Sequence, residues 1–144
     1  MKLRLNRTTE YAIHILVDLA SHPPGEPVIS REIAERHSIP QNYIAQILMV
    51  LGDVGWTEGI RGYKGGIVLK IDPSTITIRD VIEAVQGPVA INDCLIEEDV
   101  CKNHSECPLH DILEKAQEEM LKVLDTVSIS DLTGGRNVGN TQDS

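Results

Sequence analysis

Apolar residues recur at helical spacing over residues 8–21, where Ala12, Ile15, Leu16 and Leu19 fall at i, i+3, i+4 and i+7. That stripe predicts an amphipathic helix, with Thr8 or Thr9 capping its start. The PPGEP stretch at 23–27 ends it in a turn. Ser30 is expected to cap a short second helix, REIAERH, with Ile33 and Ala34 facing inward. His37, Ser38 and Ile39 form a tight connection. Pro40 then fits the first turn of a third helix, where its missing N–H costs nothing. Ile44, Ile47, Leu48 and Leu51 make the apolar stripe of that helix, which runs to about Val54. Gly55 can adopt the left-handed conformation that ends it.

The pattern changes after Gly55. Two β-prone runs, WTEGI and IVLKI, flank the glycine-rich RGYKGG, and together they predict a hairpin. Thr77 to Val85 reads as another short helix closed by Gly87-Pro88. Residues 90–107 have no apolar period and are expected to be loop. From Pro108 a long amphipathic helix runs to about Val127, with Leu109, Ile112, Leu113, Ala116, Met120, Leu121 and Leu124 on one side. The tail at 134–144 is glycine-rich and polar and is expected to be disordered. No internal repeat is evident. The fold class expected is mainly α with a small β-hairpin.

A chain of 144 residues is long enough for one domain with a real core, or one small domain with an appendage. No stretch approaches the roughly 20 apolar residues that span a bilayer. The opening MKLRLNRTTEYA lacks the apolar core and cleavage site of a signal peptide. These features point to the cytoplasm, without a membrane partner. No nucleophile motif, phosphate loop or pocket-like pair of carboxylates is present, and GYKGG lacks the spacing of a nucleotide signature, so an enzyme is not expected.

The net charge of −9 at first argues against nucleic acid. Residues 1–80, however, hold nine Lys/Arg against nine Asp/Glu, and residues 81–144 hold four against thirteen. The whole excess lies in the second part, and phosphate attraction depends on the local field at the contact surface.

Three helices followed by a hairpin is the order of a winged helix-turn-helix, whose second paired helix reads the major groove by its N-terminal end. Residues 40–46, PQNYIAQ, fit that end. The amides of Gln41, Asn42 and Gln46 can bond base edges in two-pronged fashion, and Tyr43 can reach a phosphate. In the hairpin, Arg61 and Lys64 supply charge, and Tyr63 stands between them in the same contact set. Gly62, Gly65 and Gly66 let the backbone turn sharply near a duplex. The order of the elements, more than the amides, separates this reading from a small helical domain with a polar face. It assigns residues 1–76 to DNA binding and 77–133 to a loop and a long helix suited to pairing two subunits.

All three cysteines, Cys94, Cys101 and Cys107, lie in one short segment. Three cannot all pair within one chain, and cytoplasmic thiols are more often metal ligands than disulfides. Structural zinc favours C-x2–4-C knuckles, and the gaps here are longer. Iron–sulfur clusters tolerate wider spacing and take thiolate as their usual donor. Glu97, Glu98, Asp99 and Glu106 make an acidic background that does not lower a thiol pKa, so a thiol-only sensor is the weaker reading.

With these stretches in order, the sequence resembles the Rrf-two family of bacterial winged-helix transcriptional regulators over roughly residues 1–133. The resemblance rests on MKL with TTEYAIHILVDLA, on IPQNYIAQIL, on RGYKGGIVL, and on the three cysteines followed by a long helix. It implies a homodimer paired through the C-terminal helix, with a cluster-binding loop near the partner's DNA-binding domain. It also implies control by an iron–sulfur cluster that senses nitric oxide, redox state or iron–sulfur status, with the protein acting as a repressor on a double-stranded DNA operator. Cluster-free relatives keep open a repressor that senses through thiol oxidation or a protein partner.

A fourth cluster ligand is needed beside three thiolates. His110 follows Cys107 by three residues at the start of the final helix, where i and i+3 side chains face the same way. That is similar to the cysteine-and-histidine pattern of family members with a two-iron cluster, so 2Fe-2S is favoured over 4Fe-4S. Glu10 is the rival, aligned with an acidic ligand that some members lend from the partner subunit. His14, one turn beyond on the same face, could serve likewise. Two positions depart from the family's iron–sulfur assembly regulator: the first cysteine gap is six residues instead of five, and Ala45 stands where that regulator has a glutamate.

Overall fold

A computed structural model of the chain describes residues 4–90 and 108–133. The first helix, α1 (Arg7–Ala20), begins two or three residues earlier than a cap at Thr8 or Thr9 would give. Asn6 is its cap, with Oδ1 accepting the Thr9 backbone N–H at 2.8 Å. Thr9 is fully buried inside the helix and also donates its hydroxyl toward Asn6. Ser30 likewise proves to be the first residue of α2 (Ser30–His37); the extended Ile29 precedes it and supplies no side-chain cap. Ser38, left-handed at φ 54°, turns the chain into α3 (Gln41–Val54), for which Pro40 is the residue before the first turn. Gly55 closes α3 at φ 93°, the conformation that glycine adopts most easily.

The hairpin forms as the sequence indicates. Strand β1 (Thr57–Ile60) pairs antiparallel with β2 (Gly66–Leu69), Thr57 facing Leu69 and Ile60 facing Gly66. Val28 adds a rung that periodicity did not reveal: its N–H donates to the Ile67 carbonyl at 2.9 Å and its carbonyl accepts the Ile67 N–H at 2.8 Å. This close approach requires Gly66, because a Cβ there would lie 2.7 Å from the Val28 oxygen.

Thr77 caps α4 (Ile78–Val85) in a reciprocal box with Asp80. Helix α5 (Pro108–Thr126) follows, and the chain then doubles back into α6 (Ile129–Thr133), which was not anticipated. The Ile129 N–H donates to the Ile76 carbonyl at 2.8 Å, and the Ile78 N–H donates to the Val127 carbonyl at 3.0 Å. These bonds return the end of α5 to the core.

Helix α1 is the hub, packing against α2, α3, α4 and α6. Its Ala12, Ile15, Leu16 and Leu19 meet Ile33 of α2, Ile44, Ile47 and Leu51 of α3, and Ile76, Val81 and Ile129 from beyond the hairpin. The core is therefore continuous across residue 76. Each large aliphatic side chain buried there stabilises the fold by about 1.5–3 kcal/mol.

Helix α5 behaves differently and fully buries none of its residues. On its apolar side Leu113, Met120, Leu121 and Leu124 are half-buried, whereas Leu109 and Ile112 are 54% and 65% exposed. Arg79 fastens α5 to α4, reaching Glu83 at 2.9 Å and Asp125 at 3.0 Å. No helix among the described residues is long and apolar enough to cross a membrane.

Candidate nucleic-acid interface and metal-binding face

The first turns of α3 present Gln41, Asn42, Tyr43 and Gln46 to solvent, while Ile44 and Ile47 on the opposite side are buried. The helical period thus turns every sequence-predicted reading residue outward by anchoring its neighbours inward. No side chain caps this helix end. Its backbone N–H groups and the helix dipole suit a phosphate. The Tyr43 ring rests 6.0 Å from that of Tyr11 at a 49° tilt, so α1 steadies this exposed candidate residue.

The hairpin tip carries Arg61, Tyr63 and Lys64, all exposed, with Tyr63 at 94%. Gly62 at φ 94° and Lys64 at φ 66° make the reversal. The left-handed lysine is uncommon for a non-glycine residue, and its Nζ lies 5.8 Å over the Tyr63 ring. At Gly65 a Cβ would overlap the Ile60 carbonyl oxygen, so the tip closes only with glycine there.

Between α1 and α2 lies a charge cluster that periodicity did not flag. Asp18 of α1 is only 7% exposed. Its Oδ2 accepts from Arg36 Nε and its Oδ1 from Arg36 Nη2, both at 2.8 Å. His37 Nε2 lies 2.7 Å from Oδ2 and His22 Nε2 lies 3.1 Å from Oδ1. Burial pushes this carboxyl up, but the hydrogen bonds from Arg36 and His37, the Arg36 charge and the His22 bond outweigh it and lower the pKa to about 2. The Arg36 guanidinium is held more firmly protonated in return. The clamp fixes α2, and through it the turn into α3, against α1. Its signal in the sequence was an acid on the apolar side of a helix, three residues after Ile15.

Cys94, Cys101 and Cys107 lie outside the described residues, as do the 134–144 tail and most of the expected loop at 90–107. His110 is the third residue of α5 and is half-buried; donor atoms of His110, Asp111 and Glu114 all lie within 4.8 Å of one another. Glu10 is exposed in the first turn of α1 and lines an open polar cleft of about 740 Å³ with Arg4, Asn6, Arg7 and Gln86. His14 is also exposed, but its ring stacks on His37 at 5.5 Å, which draws it toward α2. Glu10 and His14 therefore face different neighbours despite sharing a helix face.

A helix-turn-helix pair with an anchored wing, followed by a helix left half-bare, defines a winged-helix regulator. The family profile described as Rrf2, an iron-dependent transcriptional regulator, matches residues 5–135. The chain belongs to this Rrf2 family and is a DNA-binding transcriptional regulator. It is 34% identical over 131 residues to the HTH-type transcriptional regulator NsrR of Bacillus subtilis, covering 90% of each chain. Its fold is similar to that of IscR from T. potens, with a TM-score of 0.74 and 25% identity over 93% of this chain and 88% of that one. It is also similar to CymR, the global cysteine regulator of B. subtilis, with a TM-score of 0.72 and 26% identity over 92% and 97% of the two chains.

Proposed function

We propose that this regulator is a cytoplasmic homodimeric repressor whose operator binding is governed by an iron–sulfur cluster. Cys94, Cys101 and Cys107 hold the cluster with His110 as fourth ligand, and Glu10 or His14 of the partner subunit is the alternative. The observation that carries this reading is the placement of every thiol in the chain within the fourteen residues 94–107, immediately before the helix that bears a half-buried His110. Three soft thiolates and one imidazole match the donors that iron–sulfur clusters take, with 2Fe-2S favoured. The family description as iron-dependent points the same way. When bound, the cluster would supply iron that nitric oxide or oxygen can attack and that iron shortage would withhold.

The chain's own residues supply the rest. Gln41, Asn42 and Gln46 read base edges, Tyr43 contacts phosphate, and Arg61, Tyr63 and Lys64 of the wing follow the neighbouring backbone. The exposed Leu109, Ile112 and Val123 of α5 support pairing with a second copy. A two-fold dimer presents two reading heads to a pseudo-palindrome. Holding or losing the cluster biases the dimer between DNA-competent and incompetent forms.

Anaerobic purification tests this directly. Iron, acid-labile sulfide and a visible chromophore are expected, and Cys101→Ala is expected to remove the chromophore while leaving the helical circular dichroism intact. Colourless protein that takes up no iron on reconstitution would overturn the cluster. The likeness to a cysteine regulator favours one second reading, a cluster-free repressor that senses thiol oxidation or a protein partner. That protein would be iron-free and would leave its operator on treatment with peroxide.

A further inference from the structure

We propose that Met49 is a specificity-determining residue that reads the 5-methyl group of a thymine in the major groove; the proposal rests on the placement of α3 in that groove given above. Met49 is 68% exposed, whereas Ile44, Ile47 and Leu51 of the same helix are buried and Leu48 packs on the core. Among the described residues only Tyr63 of the wing is a more exposed large apolar side chain. A single exposed apolar residue is ordinary on a protein surface. What singles out Met49 is the company it keeps on the helix.

Asn42, Ala45, Gln46 and Met49 fall at i, i+3, i+4 and i+7, and all four are exposed. They share one face of α3. The same spacing carries the base contacts of homeodomain reading helices. From Gln41 to Met49 the helix rises about 12 Å at 1.5 Å per residue, and the major groove is about 12 Å wide. Met49 is therefore within the part of α3 that fits the groove. A helical side chain leans back toward the N-terminus, which carries the reach of Met49 toward the turn of Ala45. The single side-chain carbon of Ala45 leaves that space open. Asp53, also exposed, follows on the same face one turn later, about 18 Å from Gln41. Phosphates repel its carboxylate, so the groove-reading part of α3 ends between Met49 and Asp53.

The chemistry of this face is selective. Between Gln41 and Met49 there is no Arg or Lys to take the paired acceptors of guanine, and no Asp or Glu to accept from cytosine N4. The amides of Asn42 and Gln46 match adenine N6 and N7. The carbon surface of Ala45 and Met49 matches the one apolar group that a base edge displays there, the thymine methyl. Met is unbranched and polarisable, so it adapts to that edge without a preformed pocket. The amides take the purine and Met49 takes the pyrimidine. Removing the methyl and the thioether from water together supplies the discrimination.

In the experiment the full-length protein, cluster-loaded and cluster-free, selects duplexes from a random-sequence pool. The form that enriches a consensus is titrated on it by fluorescence anisotropy. Thymines of the consensus are then replaced one at a time by uracil, which keeps the base pair and removes only the methyl. Wild-type affinity is expected to fall about fourfold at one thymine of a half-site, the effect of one buried carbon. Met49→Ala is expected to bind the thymine duplex about as weakly as the wild type binds the uracil one, and to ignore the replacement. Met49→Leu is expected to keep the discrimination. Thermal midpoints within a few degrees of wild type confirm that both variants fold, as substitution of an exposed side chain allows. A wild type indifferent to uracil at every position overturns the inference. So does a Met49→Ala that loses affinity yet still prefers thymine as the wild type does, because Met49 then serves another contact. Asn42→Ala separates the two levels. If it relaxes the consensus while uracil has no effect, α3 reads the groove by its amides and the inference alone fails. If it leaves the consensus unchanged, or no consensus is enriched, the placement of α3 fails and the inference with it.

Discussion

Replacing Asp18 with Asn keeps the size of a buried side chain and removes its charge. The carboxylate accepts two bonds from Arg36 and contacts both His37 and His22. An amide can accept on one side only, so one of these donors would face an N–H. Lowering the carboxyl from 3.8 to about 2 corresponds to roughly 2 kcal/mol of native-state preference for the charged form. The folded-state pKa is depressed, so this stabilisation is complete above about pH 5 and is lost as the pH falls toward 2, where the unfolded chain takes up its proton first. Urea unfolding at pH 7 should therefore show Asp18→Asn about 2 kcal/mol less stable than wild type, and at pH 2.5 the gap should shrink to about 1 kcal/mol or less. A gap equally large at both pH values would show that the loss comes from shape or packing. No gap at pH 7 would show that the clamp contributes nothing to the fold.

Lys64→Ala should weaken operator binding about equally for all sequences and reduce the magnitude of the salt slope by about 1, as expected for one phosphate contact; anisotropy titrations over a salt series measure it, and an unchanged slope would remove Lys64 from the interface. Asn42→Ala should cost about 1–3 kcal/mol of operator affinity and relax selection at one base pair, read from a panel of substituted operators; uniform loss across the panel would make it a backbone contact. Gly65→Ala overlaps the Ile60 carbonyl, so the wing should open and DNA affinity fall while the core, anchored elsewhere, keeps its thermal midpoint within a few degrees. Thr77→Ala should destabilise the protein by about 1 kcal/mol through loss of the capping box, and an unchanged midpoint would show that the Asp80 contact alone suffices.

The helices and the hairpin were legible because each has a clean period: 3.6 along Ala12, Ile15, Leu16 and Leu19, and a glycine-rich reversal at 61–66. What escaped depends on partners far away in sequence. Thr8 and Thr9 looked like caps, but Asn6 has the extended backbone and reach that a cap needs, and Thr9 is taken into the interior by Gln86. The helix α6 is five residues long, too short for a period, and it exists because Ile129 is needed in the core beside Ile76. Asp18 was not singled out from the sequence, because only the approach of α2 with Arg36 and His37 makes a buried carboxylate favourable there. The exposure of Gln41, Asn42, Tyr43 and Gln46 was legible for the opposite reason, since polar side chains on the outer face at the start of a helix require no distant partner. The candidate ligands divide the same way: His110 and Glu10 could be placed from helix position alone, whereas the stacking of His14 on His37 could not.

The central claim is that cluster chemistry is felt at the DNA groove, and operator titration of one anaerobic preparation, before and after removal of its iron, tests it most directly. The account predicts two dissociation constants that differ at least fivefold, with the difference restored by reconstitution and absent in Cys101→Ala. Equal affinities for the loaded and stripped protein would contradict it.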